Sequence, residues 1–144
     1  MSVHFFSEDI EFKLEHKSNI RKWISLIIEN QNHELEEINY IFCSDEYLLD
    51  INRNYLQHDY YTDIITFDNR DQADDPISSD IFISIDRVKD NAQSLNNSFD
   101  QELYRVMIHG VLHLLGQGDK TEQQQMEMRK REEASLSLLR IPKV

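Results

Sequence analysis

The sequence predicts one α+β domain in which helices cover a single mixed sheet, with a metal site at the end of a central helix. Three observations carry that reading. Short alternating or β-branched runs are interleaved with apolar stripes of helical period, in the order strand(s), helix, strand, helix, strand, strand, helix, helix, helix. That order alone leaves α/β open beside α+β. At 144 residues the chain has the size of one domain, and no linker, repeat or change of composition divides residues 1–144. The most apolar helix carries two histidines four apart, which puts both on one face.

Val3 to Phe6 is a short apolar piece, and Ile10, Phe12 and Leu14 alternate with Glu11 and Lys13. This predicts two short strands with Ser7-Glu8-Asp9 as the turn between them. Ser18 is expected to open a helix whose stripe is Ile20, Trp23, Ile24, Ile27 and Ile28, ending in polar Asn30 to Glu34. Ile38 to Cys43 reads as a buried strand. Ser44 is placed to cap the next helix, with Leu48, Ile51 and Tyr55 on its buried side. Gln57 to Asp63 has no helical period and reads as a loop, followed by a β-branched strand over Ile64-Ile65-Thr66-Phe67. Aspartate-rich residues 68–79, with Pro76, are expected to be a solvated loop and the least ordered part of the chain. Ile81, Ile83 and Ile85 mark another strand, and Asp86 to Asn96 a short helix. Two capping boxes follow. Ser98-x-x-Gln101 starts the histidine helix, running to Leu115, and Thr121-x-x-Gln124 starts the last helix, running to about Leu139.

The net charge of −12, from 27 acidic against 15 basic residues, argues against a protein that coats nucleic acid with a basic surface. It leaves room for a nucleic-acid substrate held by a metal. The single cysteine, Cys43, excludes an internal disulfide, fits a reducing compartment and reads as a small buried residue. Val3 to Phe6 is too short for the core of a signal peptide, and the apolar run through 103–115 is broken by both histidines. A cytoplasmic protein without membrane contact is expected. The cluster Arg129-Lys130-Arg131 reads as a solvated helix face offset by its glutamates.

On the helix from Phe99 to Leu115, Leu103, Tyr104, Met107, Ile108, Val111, Leu114 and Leu115 share one broad apolar side. Glu102, Arg105, His109 and His113 share a narrow polar stripe opposite it. Gly116 can end the helix in the left-handed conformation, and Gly118 adds freedom for the chain to fold back. Asp119 then follows as a candidate third ligand, since Thr121 is better placed to cap the next helix. Glu102, Glu122 and Asp63 remain as substitutes. Two imidazoles and a carboxylate with an open fourth position suit zinc, one ion per chain. Gly110 stands where an H-E-x-x-H peptidase carries its general base, which makes such a peptidase a poor fit and lets another backbone or a substrate approach the helix. Arg105 is a candidate phosphate contact and Glu102 a candidate partner orienting a histidine; an ordinary i, i+3 salt bridge between the two weighs equally.

Three blocks in order resemble the bacterial YbeY endoribonucleases, the rRNA maturation factors. His109-Gly110-Val111-Leu112-His113-Leu114-Leu115-Gly116 matches the family's H-G-x-L-H-L-x-G. Asn52-Arg53-Asn54-Tyr55, Asp59 and Thr62-Asp63-Ile64-Ile65-Thr66-Phe67 resemble N-x-x-Y…D-x-x-T-D-V-L-S-F, and Asp80-Ile81-Phe82-Ile83 resembles the G-D-I strand. The resemblance implies a four-stranded sheet and one zinc on three side chains. It also implies a single-strand-specific endoribonuclease in 16S rRNA 3′-end maturation and ribosome quality control, with the small ribosomal subunit as partner. By position the ligands are His109, His113 and Asp119, the last where most members have histidine; the added negative charge makes a bound metal a weaker Lewis acid. Leu56 stands where many members have an arginine, and Ser79 where glycine precedes Asp80. Arg53, Arg105 and His58 are the cations available to replace that arginine. No general base is visible in the motif. Two other readings stand beside this one: a ribosome-assembly binding protein whose zinc is structural, and a metal-dependent hydrolase of a non-RNA substrate.

Overall fold

Four strands, β1 (Ser2–Ser7), β2 (Leu35–Cys43), β3 (Ile64–Asp68) and β4 (Ile77–Ser84), form one mixed sheet in the spatial order β1-β2-β4-β3. The first, second and fourth are parallel, and β3 runs antiparallel beside β4. The structure is a computed structural model that describes residues 2–141, so the ends of the expected 1–144 domain lie outside the described residues. Five helices complete the fold: α1 (Lys17–Asn30), α2 (Asp45–Tyr55), α3 (Ile85–Leu95), α4 (Phe99–Leu114) and α5 (Glu122–Leu136). This is the α+β arrangement of helices over one four-stranded mixed sheet.

The register sorts the side chains onto two faces. Val3 pairs with Ile38, Tyr40 with Ile81 and Ile64 with Ile83, so these residues share one face. They are packed under Ile20, Trp23 and Ile24 of α1 and Met107, Ile108 and Val111 of α4. Truncating any of the fully buried isoleucines here is expected to cost about 2–5 kcal/mol. The Tyr40 hydroxyl donates to the Met107 carbonyl at 3.0 Å, so the phenol in this core is satisfied. On the other face Cys43 and Ile65 pack with Leu48 of α2. Burial, followed by nearby Asp9, Asp86 and Asp45, pushes the Cys43 thiol up to about 12.

The expected caps form. Ser44 Oγ accepts from Tyr47 N at 3.1 Å and Ser98 Oγ from Gln101 N at 3.1 Å. At Thr121 the reciprocal bond from the N-cap backbone to Gln124 is present as well. Each such cap contributes about 1 kcal/mol.

Six expectations are corrected. Tyr55, expected on the buried side of α2, is 73% exposed, and the helix buries Leu48, Leu49 and Asn52. Ile85, expected in a strand, opens α3. Ile10 to Leu14 is not a strand: Asp9 turns the chain at φ 40°, and its carboxylate accepts from Ser44 N and Oγ. Leu14 is buried, and Ile10 and Phe12 pack against the core, so the alternation reports burial without a ladder partner. The first helix begins at Lys17 rather than Ser18, after left-handed His16. The loop expected over 68–79 is shorter, because β3 extends through Asp68 and β4 begins at Ile77. It is also tied down, since the Arg70 guanidinium bonds Asp68 and the carbonyls of Ala73 and Leu114. The last helix stops at Leu136, short of Leu139, and continues as turns. No described helix is long and apolar enough to cross a membrane.

Candidate metal centre

The histidine helix α4 packs against β3, β4, α1, α3 and α5, which fixes the direction of its polar stripe. Gly110 is its contact point with the sheet. A Cβ there would lie 3.0 Å from Ile64 Cδ1, 3.0 Å from Thr66 Oγ1 and 3.3 Å from Ile81 Cδ1. The close approach that this glycine allows is therefore made by sheet side chains. A glutamate at this position would collide with the same atoms.

Beyond Leu114 the helix ends as its glycine predicts. Gly116 has φ +100°, and the Gln117 N–H reaches back to the Leu112 carbonyl at 3.0 Å. The reversal places the Gln117 carbonyl 2.9 Å from His113 Nδ1 and brings Asp119 over the helix end. Asp119 Oδ2 lies 3.4 Å from His109 Nε2 and 3.3 Å from His113 Nε2. One donor atom from each of His109, His113 and Asp119 falls within 4.8 Å of the others, so the three can hold a metal ion. Among the described residues this is the group with that geometry. Asp119 is not needed as a cap, because Thr121 caps α5. Glu102, Glu122 and Asp63, the substitutes the sequence allows, are not in the group.

Both imidazoles are oriented from behind. His113 Nδ1 is held by the Gln117 carbonyl, and His109 Nδ1 lies 2.5 Å from Glu132 Oε2. Each ring is thereby left to present Nε2 to the shared point, the arrangement by which outer partners aim metal-binding histidines. Glu132 comes from α5 and is buried. Its other oxygen accepts from Arg105 Nη1 at 3.2 Å. Burial works to raise the Glu132 carboxyl, but His109 and Arg105 outweigh it and hold the group below the usual carboxylate range.

Of the two readings offered above for Glu102, one forms. That side chain, with no exposed surface, accepts from Arg105 Nε at 2.9 Å and Nη2 at 2.5 Å, and its hydrogen bonds go to Arg105 rather than to a histidine. The i, i+3 salt bridge is what forms. Arg105 Nη2 also lies 3.9 Å from Asp63 Oδ2, so one guanidinium stands among three carboxylates. The Glu102 bonds push its pKa well above the ordinary arginine value. Arg105 lines two grooves on the α5 side, one of them shared with His109 and Asp119, and does not line the cleft described next.

A cleft of about 460 Å³ opens onto His109, His113 and Asp119, with Leu56, His58, Tyr60 and Asp63 also on its walls. Burial raises the Asp63 carboxyl above its usual range, against the opposing pull of Arg105 and His109. A carboxyl so placed can exchange a proton nearer neutral pH than a free aspartate.

The family model described as Endoribonuclease YbeY matches residues 2–140. The chain belongs to the YbeY family. The proteins called Endoribonuclease YbeY from Cytophaga hutchinsonii and Christiangramia forsetii are 53% and 48% identical to it. The first alignment covers 95% of each chain, and the second 96% of this chain and 95% of the relative. The solution structure of TM1509 from Thermotoga maritima superposes with a TM-score of 0.66 at 24% identity, covering 94% of this chain and 90% of that one. That likeness speaks for the fold. Against the YbeY pattern, Leu56 lines the cleft but brings no charge. Of the three residues weighed as replacements, Arg53 is paired with Asp59 at 2.5 Å, Arg105 is held by Glu102, and only His58 is on the cleft wall. Ser79 is accommodated, its hydroxyl donating to the Phe67 carbonyl at 2.7 Å.

The residues that the sequence reading missed are Glu132, Gln117 and Arg70. Glu132 had a faint signal: Met128, Glu132 and Ser135 recur at helical spacing and are the buried side of α5.

Proposed function

We propose that this YbeY-family chain is a metal-dependent endoribonuclease of single-stranded RNA. In this reading zinc is held by His109, His113 and Asp119, and the substrate is the 3′ end of 16S rRNA on the small ribosomal subunit in the cytoplasm. The observation that carries the reading is the convergence of three donor atoms at the mouth of a cleft, with both histidines fixed through Nδ1. Two imidazoles and one carboxylate are a donor set suited to zinc, leaving a position open to substrate. A bound metal supplies Lewis-acid polarisation of the phosphodiester and a lowered pKa for water.

The chain's own residues do the rest. Glu132 and the Gln117 carbonyl hold the imidazole protons at Nδ1, so that both Nε2 atoms face the cleft. Asp63 is a carboxyl placed to take up a proton there. Arg105 is a positioning residue: it neutralises Glu102 and Glu132, which would otherwise be unpaired buried charges, the second of them against His109. A peptidase of the H-E-x-x-H type has no room for its glutamate, because position 110 is pressed against Ile64 and Thr66.

The test is metal analysis with a single-stranded RNA cleavage assay on wild type, His113→Ala and Asp119→Ala. Both variants are expected to lose bound metal and cleavage together. Unchanged metal content in Asp119→Ala overturns the third ligand, and cleavage by metal-free protein overturns the metal dependence.

A further inference from the structure

The cleft that opens onto the three ligands contains a second constellation that positions nothing in the metal centre. The rings of His58 and Tyr60 are stacked, with centroids 5.2 Å apart and planes 20° from parallel, and the Tyr60 hydroxyl meets His58 Nδ1 at 3.0 Å. Both side chains line the cleft. The loop that bears them is anchored at successive residues. Gln57 turns it at φ 56°, the His58 N–H donates to the Asn52 carbonyl at 3.0 Å, and Asp59 is paired with Arg53. Buried Asn52 donates from Nδ2 to the Tyr60 carbonyl at 2.9 Å.

Held this firmly, Tyr60 nevertheless leaves 56% of its surface exposed. Its neighbours have structural partners. The Tyr61 hydroxyl donates to Glu46 and its ring lies under Arg87, and Tyr55 packs edge-on against Phe67. The partner of the Tyr60 ring is His58, itself exposed. A fixed aromatic plane at the mouth of a cleft is what stacks an unpaired base.

Charge points the same way. Asp63, Asp68 and Asp119 are on the cleft walls, and among the described residues no lysine or arginine is. Arg105 and Arg129 line a separate groove with His109 and Asp119, so on the cleft side of the ligands cationic capture of phosphates is weak, whereas stacking on a base face needs no positive charge. We propose that the His58–Tyr60 pair is the platform on which one nucleobase of single-stranded RNA stacks, seating the neighbouring phosphate over the three ligands. The proposal rests on the endoribonuclease reading. It also gives that enzyme a reason to act on single strands, since a duplex hides the faces of its bases.

The test uses metal-loaded wild type, Tyr60→Phe and Tyr60→Ala with single-stranded 2′-O-methyl oligonucleotides, each carrying one abasic position and confirmed intact at the end of each binding measurement. For wild type, one abasic position is expected to weaken binding by about 5- to 160-fold, the range of a single base–aromatic stack. Tyr60→Ala should bind the intact strand as weakly as wild type binds that abasic strand, and Tyr60→Phe should keep most of the discrimination. A 2-aminopurine at that position should be quenched by wild type and Tyr60→Phe but not by Tyr60→Ala. Equal metal content in the three proteins checks that the centre is intact. The platform is overturned if no abasic position costs wild type more than about two-fold, or if Tyr60→Ala discriminates as wild type does. Either result with wild type still cleaving RNA leaves the endoribonuclease reading in place; a wild type that neither binds nor cleaves single-stranded RNA overturns both.

Discussion

Glu132 Oε2 lies 2.5 Å from Nδ1 of His109, so a carboxylate on α5 sets the direction in which a histidine on α4 faces the cleft. The contact joins two helices whose sequences are separated by the Gly116–Thr121 reversal. It makes the docking of α5 part of the candidate metal centre. Glu132→Ala is expected to lower metal affinity by about 10- to 100-fold, the usual effect of removing a partner that orients a metal-binding histidine. Glu132→Gln, which keeps an acceptor for the imidazole proton, should lose less. Competition with a chelator of known affinity measures both, and equal affinities for wild type and Glu132→Ala would refute the orienting role.

Arg105 distinguishes two kinds of contribution. As a positioning residue it neutralises Glu102, which has no exposed surface, and Glu132. Arg105→Ala leaves those carboxylates buried without their cation, and urea denaturation should show a loss of about 3 kcal/mol. A phosphate contact would instead appear in the salt dependence of RNA binding, whose logarithmic slope would fall by about one. The expected result is a large stability loss with an unchanged slope.

What could be read from the sequence were features carried by neighbouring residues. His109 and His113 share a face because helical geometry demands it, Ser44, Ser98 and Thr121 cap because their hydroxyls reach the next turn, and Gly116 reverses the chain. What escaped depends on contacts between elements. Glu132 belongs to a different helix from its histidine, and its charge was indistinguishable from those offsetting Arg129 and Arg131. Gln117 acts through its carbonyl, which no side-chain pattern reveals. Arg70 sits in an acidic loop that looks fully solvated, yet it donates to the Leu114 carbonyl at the end of α4. Ile10 to Leu14 shows the converse error, since alternation follows burial whether or not a strand is available to pair.

The Arg70 latch should give the stability a dependence on acid. Its hydrogen bonds hold the Asp68 carboxyl below the usual carboxylate range. A carboxyl depressed in the folded state stabilises fully above its unfolded pKa, near 4, and that contribution disappears as pH falls through the lower folded value. The melting temperature of wild type should exceed that of Asp68→Asn by a constant margin from about pH 5 to 7, and the margin should close on acidification below about pH 4. A margin that widens in acid would refute the assignment.

Gly110 supplies the remaining prediction, because it separates helix propensity from packing. Alanine in a helix interior is favoured over glycine by about 1 kcal/mol. Here its methyl would stand 3.0 Å from both Ile64 Cδ1 and Thr66 Oγ1. The isoleucine tip can move, but the threonine is stiff at χ1, so the helix must shift outward. Overpacking of this kind costs about 1–3 kcal/mol, which outweighs the propensity gain. Gly110→Ala should therefore lower stability by about 1 kcal/mol on balance and, because His109 is the adjacent residue, weaken metal binding as well. Gly110→Glu, which recreates an H-E-x-x-H string, should bind metal still less well and show no peptidase activity, since its carboxylate would be forced against Ile64 and Thr66. Thermal denaturation and chelator competition on the two variants check this, and a stabilised Gly110→Ala with full metal affinity would show that α4 does not need the close approach.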